Sequence, residues 1–268
     1  MSKVSPLDYV PAPVPEDCVL KISPSSFSKF VEKPWQWYRE QVQGLDKFEY
    51  STATVTGTIV HYCAECAIKG EEVDKQAIEE YIQKHAEKED YSIETVSRNW
   101  YPTAHALINE FTMQHKNQLL SSEVATAMSI GNGIYVAGTF DLLLGTKEDC
   151  MLIDYKTYSS KVKPKSIPSY YKAQLLTYTR ILRSKGYNVT RIGNVFVNVP
   201  IDGGISEKTG KPLKSYPSET TVLIEQVEES DVEWIESMHD LCRDTYLLGT
   251  ENPDLLHIIY HDPRLKEI

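Results

Sequence analysis

Residues 134–156 read IYVAGTFDLLLGTKEDCMLIDYK, and this stretch decides the fold. It contains two predicted strands, Tyr135 to Leu144 and Cys150 to Lys156, separated by a turn over Gly145 to Asp149. Upstream, Glu123 to Ile130 is another predicted strand, and the Gly131-Asn132-Gly133 that follows it is a strong hairpin signal. The sequence therefore predicts a hairpin and one further strand at the centre of the fold.

An acidic and a basic side chain stand at the end of the last of these strands. Because side chains alternate between the two faces of a strand, Asp154 and Lys156 point the same way and Tyr155 points away. Taken alone, the tripeptide predicts only a strand-end ion pair. If the strands pair, Asp141 of the neighbouring strand brings a second carboxylate to Asp154. Two close carboxylates repel each other unless a cation sits between them, and oxygen ligands suit Mg²⁺ or Mn²⁺.

A predicted helix over 54–68, ended by Gly70, adds polar groups to this pattern. His61 and Glu65 are four residues apart and so share one face of the helix. Gly57, one turn earlier, permits a close approach of the backbone to a neighbour. The alternative is a histidine satisfied in the core or at the surface, with Glu65 a solvated partner.

A second predicted helix, over 169–185, carries Gln174 and Tyr178 four residues apart. In isolation the pair is equally typical of an amphipathic helix whose polar groups lie at the boundary of the core. In a site, Lys156 would orient an attacking water or neutralise charge developing in the transition state.

The remaining segments complete a mixed α/β plan. In the N-terminal half, the pattern predicts a helix capped by Ser23 with Pro24 at its first position and a kink or restart at Pro34. A polar helix over 74–89, a loop over 90–100 and helical spacing over 102–120 follow. In the C-terminal half, it predicts a strand over 192–199, a mobile loop over 200–218, a strand over 219–226 and a helix over 230–248. We therefore expect one mixed α/β domain over 22–250, with an extended arm over 1–21 and a tail over 251–268.

Four motifs in order give these pieces a common meaning. Gly57-x-x-x-His61, Gly138-x-x-Asp141, Asp154-x-Lys156 and Gln174-x-x-x-Tyr178 resemble the RecB-like branch of the PD-(D/E)XK nuclease superfamily, which includes the CRISPR-associated RecB-like exonucleases. Ser23 to Phe27 and Lys33-Pro34-Trp35 are similar to the helix that opens these domains. The resemblance covers about residues 22 to 200. It implies a restriction-endonuclease-like fold, a mixed central sheet flanked by helices with a helical N-terminal elaboration.

The resemblance also implies roles for individual residues. It makes Lys156 the catalytic lysine and assigns one or two Mg²⁺ or Mn²⁺ ions to His61, Asp141, Asp154 and the main-chain carbonyl of Tyr155. Gln174 and Tyr178 would support the site or contact DNA, Glu65 would stand behind the ligands, and Glu123 would line the cleft.

The cysteines separate this chain from the members of that branch that carry a [4Fe-4S] cluster. Lys33 stands where the resemblance places the first cluster cysteine, and Cys242 is alone in the C-terminal region. A cluster needs four thiolates, so we expect none here. The chain has five cysteines, an odd number, and is expected to hold free, mostly buried thiols rather than disulfides. Cys63 and Cys66 form a CxxC pair, a pattern found in zinc and redox sites. The interpretation favoured here is that both are small buried thiols that pack their helix.

The charge distribution bears on the substrate. A net charge of −10 by itself disfavours nucleic acid as a partner. Between Lys156 and Arg191, however, there are nine basic residues and no acid, which favours one polyanion-binding face over a merely solvated one. The expected DNA-binding residues of this stretch are Lys161, Lys163, Lys165, Tyr171 and Lys172. Lys208, Lys211 and Lys214 would extend the grip or act as a flap.

The expected function is that of a metal-dependent DNA exonuclease acting on single- or double-stranded ends in recombination, repair or phage DNA processing. A single-strand annealing or recombination protein is the expected partner. The chain shows no signal peptide and no apolar run long enough for a membrane span, so we expect a cytoplasmic location, in the host if the gene is from a phage. A structure-specific or restriction-like endonuclease and a DNA-binding assembly protein with little activity remain as alternatives. Strand polarity and oligomeric state stay open.

Overall fold

The computed structural model describes residues 5–8, 10–45, 50–88, 90–205, 210–212, 214–252 and 256. Its strands are β1 (Leu20–Ile22), β2 (Leu119–Gly131), β3 (Ile134–Gly145), β4 (Cys150–Tyr158), β5 (Val189–Asn198) and β6 (Thr220–Gln226). Its helices are α1 (Pro24–Glu32), α2 (Pro34–Gln41), α3 (Thr52–Lys69), α4 (Lys75–Lys84), α5 (Ile93–Leu107), α6 (Ser169–Ser184) and α7 (Glu229–Glu251). A π-helix (Ile108–Thr112) and a 3₁₀-helix (Met113–Gln118) connect α5 to β2.

The six strands form one mixed sheet. β2 and β3 are an antiparallel hairpin, β4 pairs with β3 antiparallel and with β5 parallel, and β6 pairs with β5 antiparallel. β1 runs parallel to the first residues of β3. Helices cover both faces, since α1, α2, α6 and α7 pack one hydrophobic cluster and α3, α4 and α5 pack the other. The expected mixed α/β fold, a central mixed sheet flanked by helices, is confirmed.

The middle of β3 has an open edge, which positions the site. β1 and β4 both pair with the edge of β3 that faces away from β2, β1 up to Val136 and β4 from Leu142 onward. The residues between them, 137–141, have no strand partner on that edge. The two antiparallel strands thus diverge beyond the Leu142–Ile153 pair. The first unpaired position on each side is an aspartate, Asp141 before Leu142 and Asp154 after Ile153.

Local sequence signals account for several element boundaries. The hydroxyl of Ser23 accepts a hydrogen bond from the backbone N–H of Ser26 at 3.0 Å and caps α1, whose first residue is Pro24. Pro34 begins α2, as the predicted restart requires. Gly70 ends α3 in the left-handed conformation at φ 76°, which glycine adopts without steric cost.

In the region over 90–120, the predicted loop is wrong, whereas the predicted helical spacing is confirmed as far as Gln118. The expected loop over 90–100 is largely the first half of α5, which Ser92 caps and which continues through Pro102. The predicted helix over 102–120 ends as α-helix at Leu107, and β2 already begins at Leu119. Packing against α3 outweighs the breaking tendency of the proline, because Val96, Ala104 and Leu107 lie in the core that the two helices share.

Other segments depart less from expectation. The expected loop over 200–218 contains two β-bridges, Ile201 to Tyr216 and Ile205 to Pro212, in its described part. Lys208 and most of the tail over 251–268 lie outside the described residues. All five cysteines are free thiols and four of them are buried, as predicted. Within the described part of the chain, no helix has both the length and the apolar character that a bilayer crossing requires.

Candidate active site

The two aspartates of the central motif lie where β3 and β4 diverge. Asp141 precedes Leu142 and Asp154 follows Ile153, the final pair of the β3–β4 ladder, so the two aspartates lie just beyond the pairing of these two strands. Asp141 fills part of the gap, since its Oδ2 accepts a hydrogen bond from the backbone N–H of Tyr155 at 2.6 Å. Its other oxygen, Oδ1, is left to face α3.

Helix α3 brings an imidazole to that oxygen. Nδ1 of His61 lies 3.3 Å from Oδ1 of Asp141. The helix can approach this closely because a Cβ at Gly57 would lie 3.2 Å from Oγ1 of Thr157 on β4. The ring of Tyr155 supports the imidazole edge-on, with ring centroids 5.7 Å apart.

Glu123 completes a group of three potential metal ligands. It lies on β2 between the pairs Ser122–Leu142 and Val124–Phe140, hence opposite Asp141. Its φ of 50° is left-handed, a strained conformation for a residue with a side chain. One ligand atom each from His61, Glu123 and Asp141 lies within 4.8 Å of the others. Two carboxylates and an imidazole at this spacing can hold a divalent cation.

Electrostatics within this group show the crowding of charge. Burial and repulsion from Asp141 raise the pKa of Glu123 to about 8. Burial lowers the pKa of His61. Attraction to Asp141, the hydrogen bond that the imidazole donates to that carboxylate, and attraction to the other acids outweigh this effect and raise the pKa to about 9. Burial opposes charge on Asp141 as well, yet His61 and Lys156 hold the pKa of that carboxyl below its usual range. A bound cation would relieve the repulsion between the two carboxylates.

Asp154 belongs to a second, separate network. Its Oδ2 lies 2.8 Å from Nζ of Lys156, and its Oδ1 accepts a hydrogen bond from Nε2 of Gln174 at 3.0 Å. Nζ of Lys156 donates in turn to Oε1 of Gln174 at 3.0 Å and lies 4.7 Å from the ring centroid of Tyr171. Since lysine only donates and the carboxylate only accepts, these partners fix the orientation of the Gln174 amide. Burial raises the pKa of Asp154, while Lys156 opposes that rise.

Asn194 is a member of this network that the sequence interpretation missed. It is fully buried on β5 beside Asp154, and its Nδ2 donates to Oδ2 of Asp154 at 2.9 Å. Its own Oδ1 has no hydrogen-bond partner among the described residues. A signal was present, because Asn194 interrupts the apolar run 192–197, where a hydrophobic residue would be the stable choice.

Tyr178 and Gly138 hold β3 in place just before Asp141. The hydroxyl of Tyr178 donates to the carbonyl of Thr139 at 2.7 Å, on the edge of β3 that lacks a strand partner. A Cβ at Gly138 would lie 2.7 Å from that hydroxyl and 2.8 Å from Cδ of Pro24, so only glycine fits. The glycine of this motif therefore allows α1 and α6 to reach the strand.

The structure brings most of the expected residues together but distributes them differently. Glu123 rather than Asp154 stands with His61 and Asp141, and Glu65 forms an ion pair with Lys69. A cavity of about 330 Å³ opens beside Lys156 and Gln174 and is bordered by α1 and by the start of α6.

The acid-free basic stretch is largely neutralised by acids from other elements. Lys163 pairs with Glu219 at 2.8 Å, and Lys172 pairs with Asp231 at 2.9 Å. Further ion pairs join Arg180 to Glu236, Arg183 to Glu229 and Arg191 to Asp149. Lys161 and Lys165 are exposed and form no ion pair within the described part of the chain. A single basic face is therefore an incomplete description of this stretch.

Comparisons with known proteins place this site in a family. No protein with a curated description matches the chain. Among solved structures, a putative exonuclease from Eubacterium rectale matches with a TM-score of 0.52 at 14% identity, over 85% of this chain and 80% of that one. A phage-related exonuclease from Haemophilus somnus matches with a TM-score of 0.37 at 15% identity, over 87% of this chain and 96% of that one. An alkaline exonuclease from Laribacter hongkongensis matches with a TM-score of 0.33 at 11% identity, over 75% and 98%.

The first of these likenesses concerns the fold alone, as its identity is low. The family model described as PD-(D/E)XK nuclease superfamily matches residues 21–249 and thus spans both networks around Asp141 and Asp154. The chain belongs to the PD-(D/E)XK nuclease superfamily.

Proposed function

We propose that this protein is a divalent-metal-dependent deoxyribonuclease that hydrolyses phosphodiester bonds, and that it acts as an exonuclease on single- or double-stranded DNA ends. The observation that carries the proposal is the pair of adjoining networks, a three-ligand group at Asp141 and a lysine held by Asp154. The first would bind a cation, and the second presents a fixed ammonium group beside it. Phosphoryl transfer needs both kinds of group, to bind a phosphate and to offset its negative charge.

The residues present fit one or two Mg²⁺ or Mn²⁺ ions. His61, Glu123 and Asp141 would hold the first, and the carbonyl of Tyr155 and Asp154 would complete the set. Oδ2 of Asp154 already accepts from Lys156 and Asn194. Among the described residues, only Gln174 donates to Oδ1, which keeps a lone pair for a cation. Bound there, the ion would act as a Lewis acid on the phosphoryl group.

The protein's own groups would do the remaining work. Lys156 is fixed by Asp154, Gln174 and the Tyr171 ring, so its ammonium is oriented before substrate binds. It would neutralise charge that develops on the scissile phosphate or orient the attacking water. Tyr178 would keep Asp141 in place through the Thr139 carbonyl. Glu65 would support the metal ligands from behind. Lys161, Lys165 and Tyr171 would contribute to DNA binding, and the ion-paired Lys163 and Lys172 would contribute less.

The test is cleavage of end-labelled single- and double-stranded DNA with Mg²⁺ or Mn²⁺ and with EDTA. Asp141→Asn and Lys156→Ala should each lower the rate by at least about 100-fold, the loss typical of removing one electrostatic group from such a site. Glu233→Gln, an exposed carboxylate on α7, serves as the control that keeps its rate. Parent-like cleavage by both site variants would refute the assignment.

Two other functions are separated by the same substrates. An endonuclease of this superfamily would cut covalently closed circular DNA, which an exonuclease leaves intact. An assembly protein with little activity would bind DNA tightly and show no metal-dependent cleavage. The intact acids and lysine favour the enzyme over this last alternative.

We place the activity in recombination, repair or phage DNA processing in the cytoplasm, alongside a single-strand annealing or recombination protein. The proposed nuclease domain is 22–250, with an arm over 1–21 and a tail over 251–268. Co-purification from the source cell with and without DNase treatment would test the partner. If no annealing or recombination protein co-purifies in either condition, the proposed partnership would be contradicted.

A further inference from the structure

The ion pairs divide the lysines near the site into two classes. Lys163 and Lys172 already have carboxylate partners from the 219 region and α7. Lys161 and Lys165 are exposed, and neither forms an ion pair with any residue that the structure describes. A lysine neutralised by a close acid offers little net charge to a phosphate, so the unpaired lysines are the ones to follow.

Lys161 lies at the end of the sheet to which β4 and β5 both lead. The backbone N–H of Val199 donates to the carbonyl of Tyr158 at 2.8 Å, so the two chains leave the sheet side by side. Five residues separate Lys161 from Lys156, which at about 3.3 Å per residue limits the distance between their Cα atoms to about 17 Å. The unpaired lysine is therefore close to the site.

A paired segment after β5 reaches the same end. Ile201 and Tyr216 exchange both backbone hydrogen bonds at 2.9 Å, and Asp202 pairs with Arg98 of α5 at 3.0 Å. Its described residues, 201–205, 210–212 and 214–216, are called the bridged segment below. The bridged segment contributes Lys211 and Lys214, both exposed and without an ion pair to any described residue.

Tyr216 brings the two segments together. Nζ of Lys214 lies 5.1 Å from the centroid of its ring and Nζ of Lys161 lies 6.0 Å from it. Two ammonium groups gathered on one ring repel each other, and the structure describes no carboxylate paired with either. An aromatic ring flanked by unpaired cations is complementary to a nucleic-acid strand, because phosphates bind the cations and an unpaired base stacks on the ring.

We propose that Lys161, Lys211, Lys214 and Tyr216, here called the hairpin surface, bind a single-stranded segment of the substrate as it leads to Lys156. This inference rests on the proposed nuclease function and adds that the DNA is unpaired where it meets the hairpin surface. Duplex ends would then have to open by a few base pairs before cleavage.

The experiment measures binding of a fluorescent single-stranded oligonucleotide across a salt series in EDTA, with cleavage rates measured in parallel. Each lost phosphate contact lowers the slope of log affinity against log salt by about 0.7 for a single strand, so Lys161→Ala/Lys214→Ala should lower it by about 1.4. Lys75→Ala/Lys88→Ala makes the same change in net charge on exposed residues at and after α4 and should leave the slope unchanged. Equal slopes for the two double variants would overturn the proposal.

Tyr216 gives an independent readout. Tyr216→Ala should weaken single-strand binding by about 5- to 150-fold, the loss of one stacked base, and leave blunt duplex binding almost unchanged. Tyr216→Phe keeps the ring and should bind like the parent. Loss of affinity in both variants, or equal losses for duplex and single strand, would refute the stacking role. If the parent protein binds DNA but never cleaves it, the nuclease function would be refuted. The salt dependence of binding would still test the hairpin surface, because it is measured in EDTA.

Discussion

His239 on α7 is expected to make folding stability depend on pH in a way that one substitution removes. The side chain is fully buried and packs against the tilted ring of Phe27, with ring centroids 4.4 Å apart. Its Nδ1 lies 2.7 Å from a guanidinium nitrogen of Arg180, which can only donate, so Nδ1 must accept. Nε2 then carries the proton and donates to Oγ1 of Thr177 at 3.2 Å, whose hydroxyl donates to the carbonyl of Ala173.

This arrangement accepts only the neutral imidazole. Burial, together with the positive charge of Arg180, lowers the pKa of His239 from 6.5 to about 3. Because the pKa is lower in the folded state, the unfolded chain binds the extra proton as pH falls below 6.5, and stability is lost from there down to about pH 3. This histidine alone should make the free energy of unfolding about 2 kcal/mol smaller at pH 5 than at pH 8, a factor of about 30 in the unfolding equilibrium.

Urea unfolding of the parent and of His239→Gln at pH 8 and pH 5 measures this effect. The parent should lose about 2 kcal/mol more than the variant between the two pH values, because glutamine does not titrate and all other groups cancel in the difference. His105→Gln, at an exposed histidine, is the matched control and should behave like the parent. If His239→Gln folds poorly, NMR titration of the parent should still show one histidine that stays neutral to below pH 4. Identical pH dependence in parent and variant, or a His239 that titrates near pH 6.5, would refute this reasoning.

Three further predictions concern the site. Asn194→Val should raise the metal concentration for half-maximal activity by about 10- to 100-fold, because Asp154 loses a positioning donor; a metal titration checks this, and unchanged half-saturation would contradict it. Glu123→Gln should raise the melting temperature at pH 8 without metal, since it removes repulsion with Asp141. It should also make the rise in melting temperature on addition of Mn²⁺ smaller than in the parent, and calorimetry with and without Mn²⁺ measures both effects. Gly138→Ala should cost about 1 to 3 kcal/mol in urea unfolding, because its Cβ would lie 2.7 Å from the Tyr178 hydroxyl, and a neutral result would show that α6 can yield.

The elements with local signals could be predicted from the order of residues alone. A capping serine and proline at α1, the glycine that ends α3 and the Gly131-Asn132-Gly133 hairpin each act through neighbours along the chain. Strand alternation put Asp154 and Lys156 on one side, and motif order indicated the superfamily. These predictions were confirmed because the physics behind them spans only a few residues.

The contacts between residues far apart in the chain depend on the folded structure. It carried α5 through Pro102, placed Glu123 with His61 and Asp141, and set Asn194 beside Asp154. It also neutralised much of a stretch that contains no acid in sequence, using carboxylates more than 40 residues away, as in the pairs of Lys163 and Lys172. Such contacts depend on sheet register and helix packing, so the charge that a substrate meets follows from the fold and not from the order of residues.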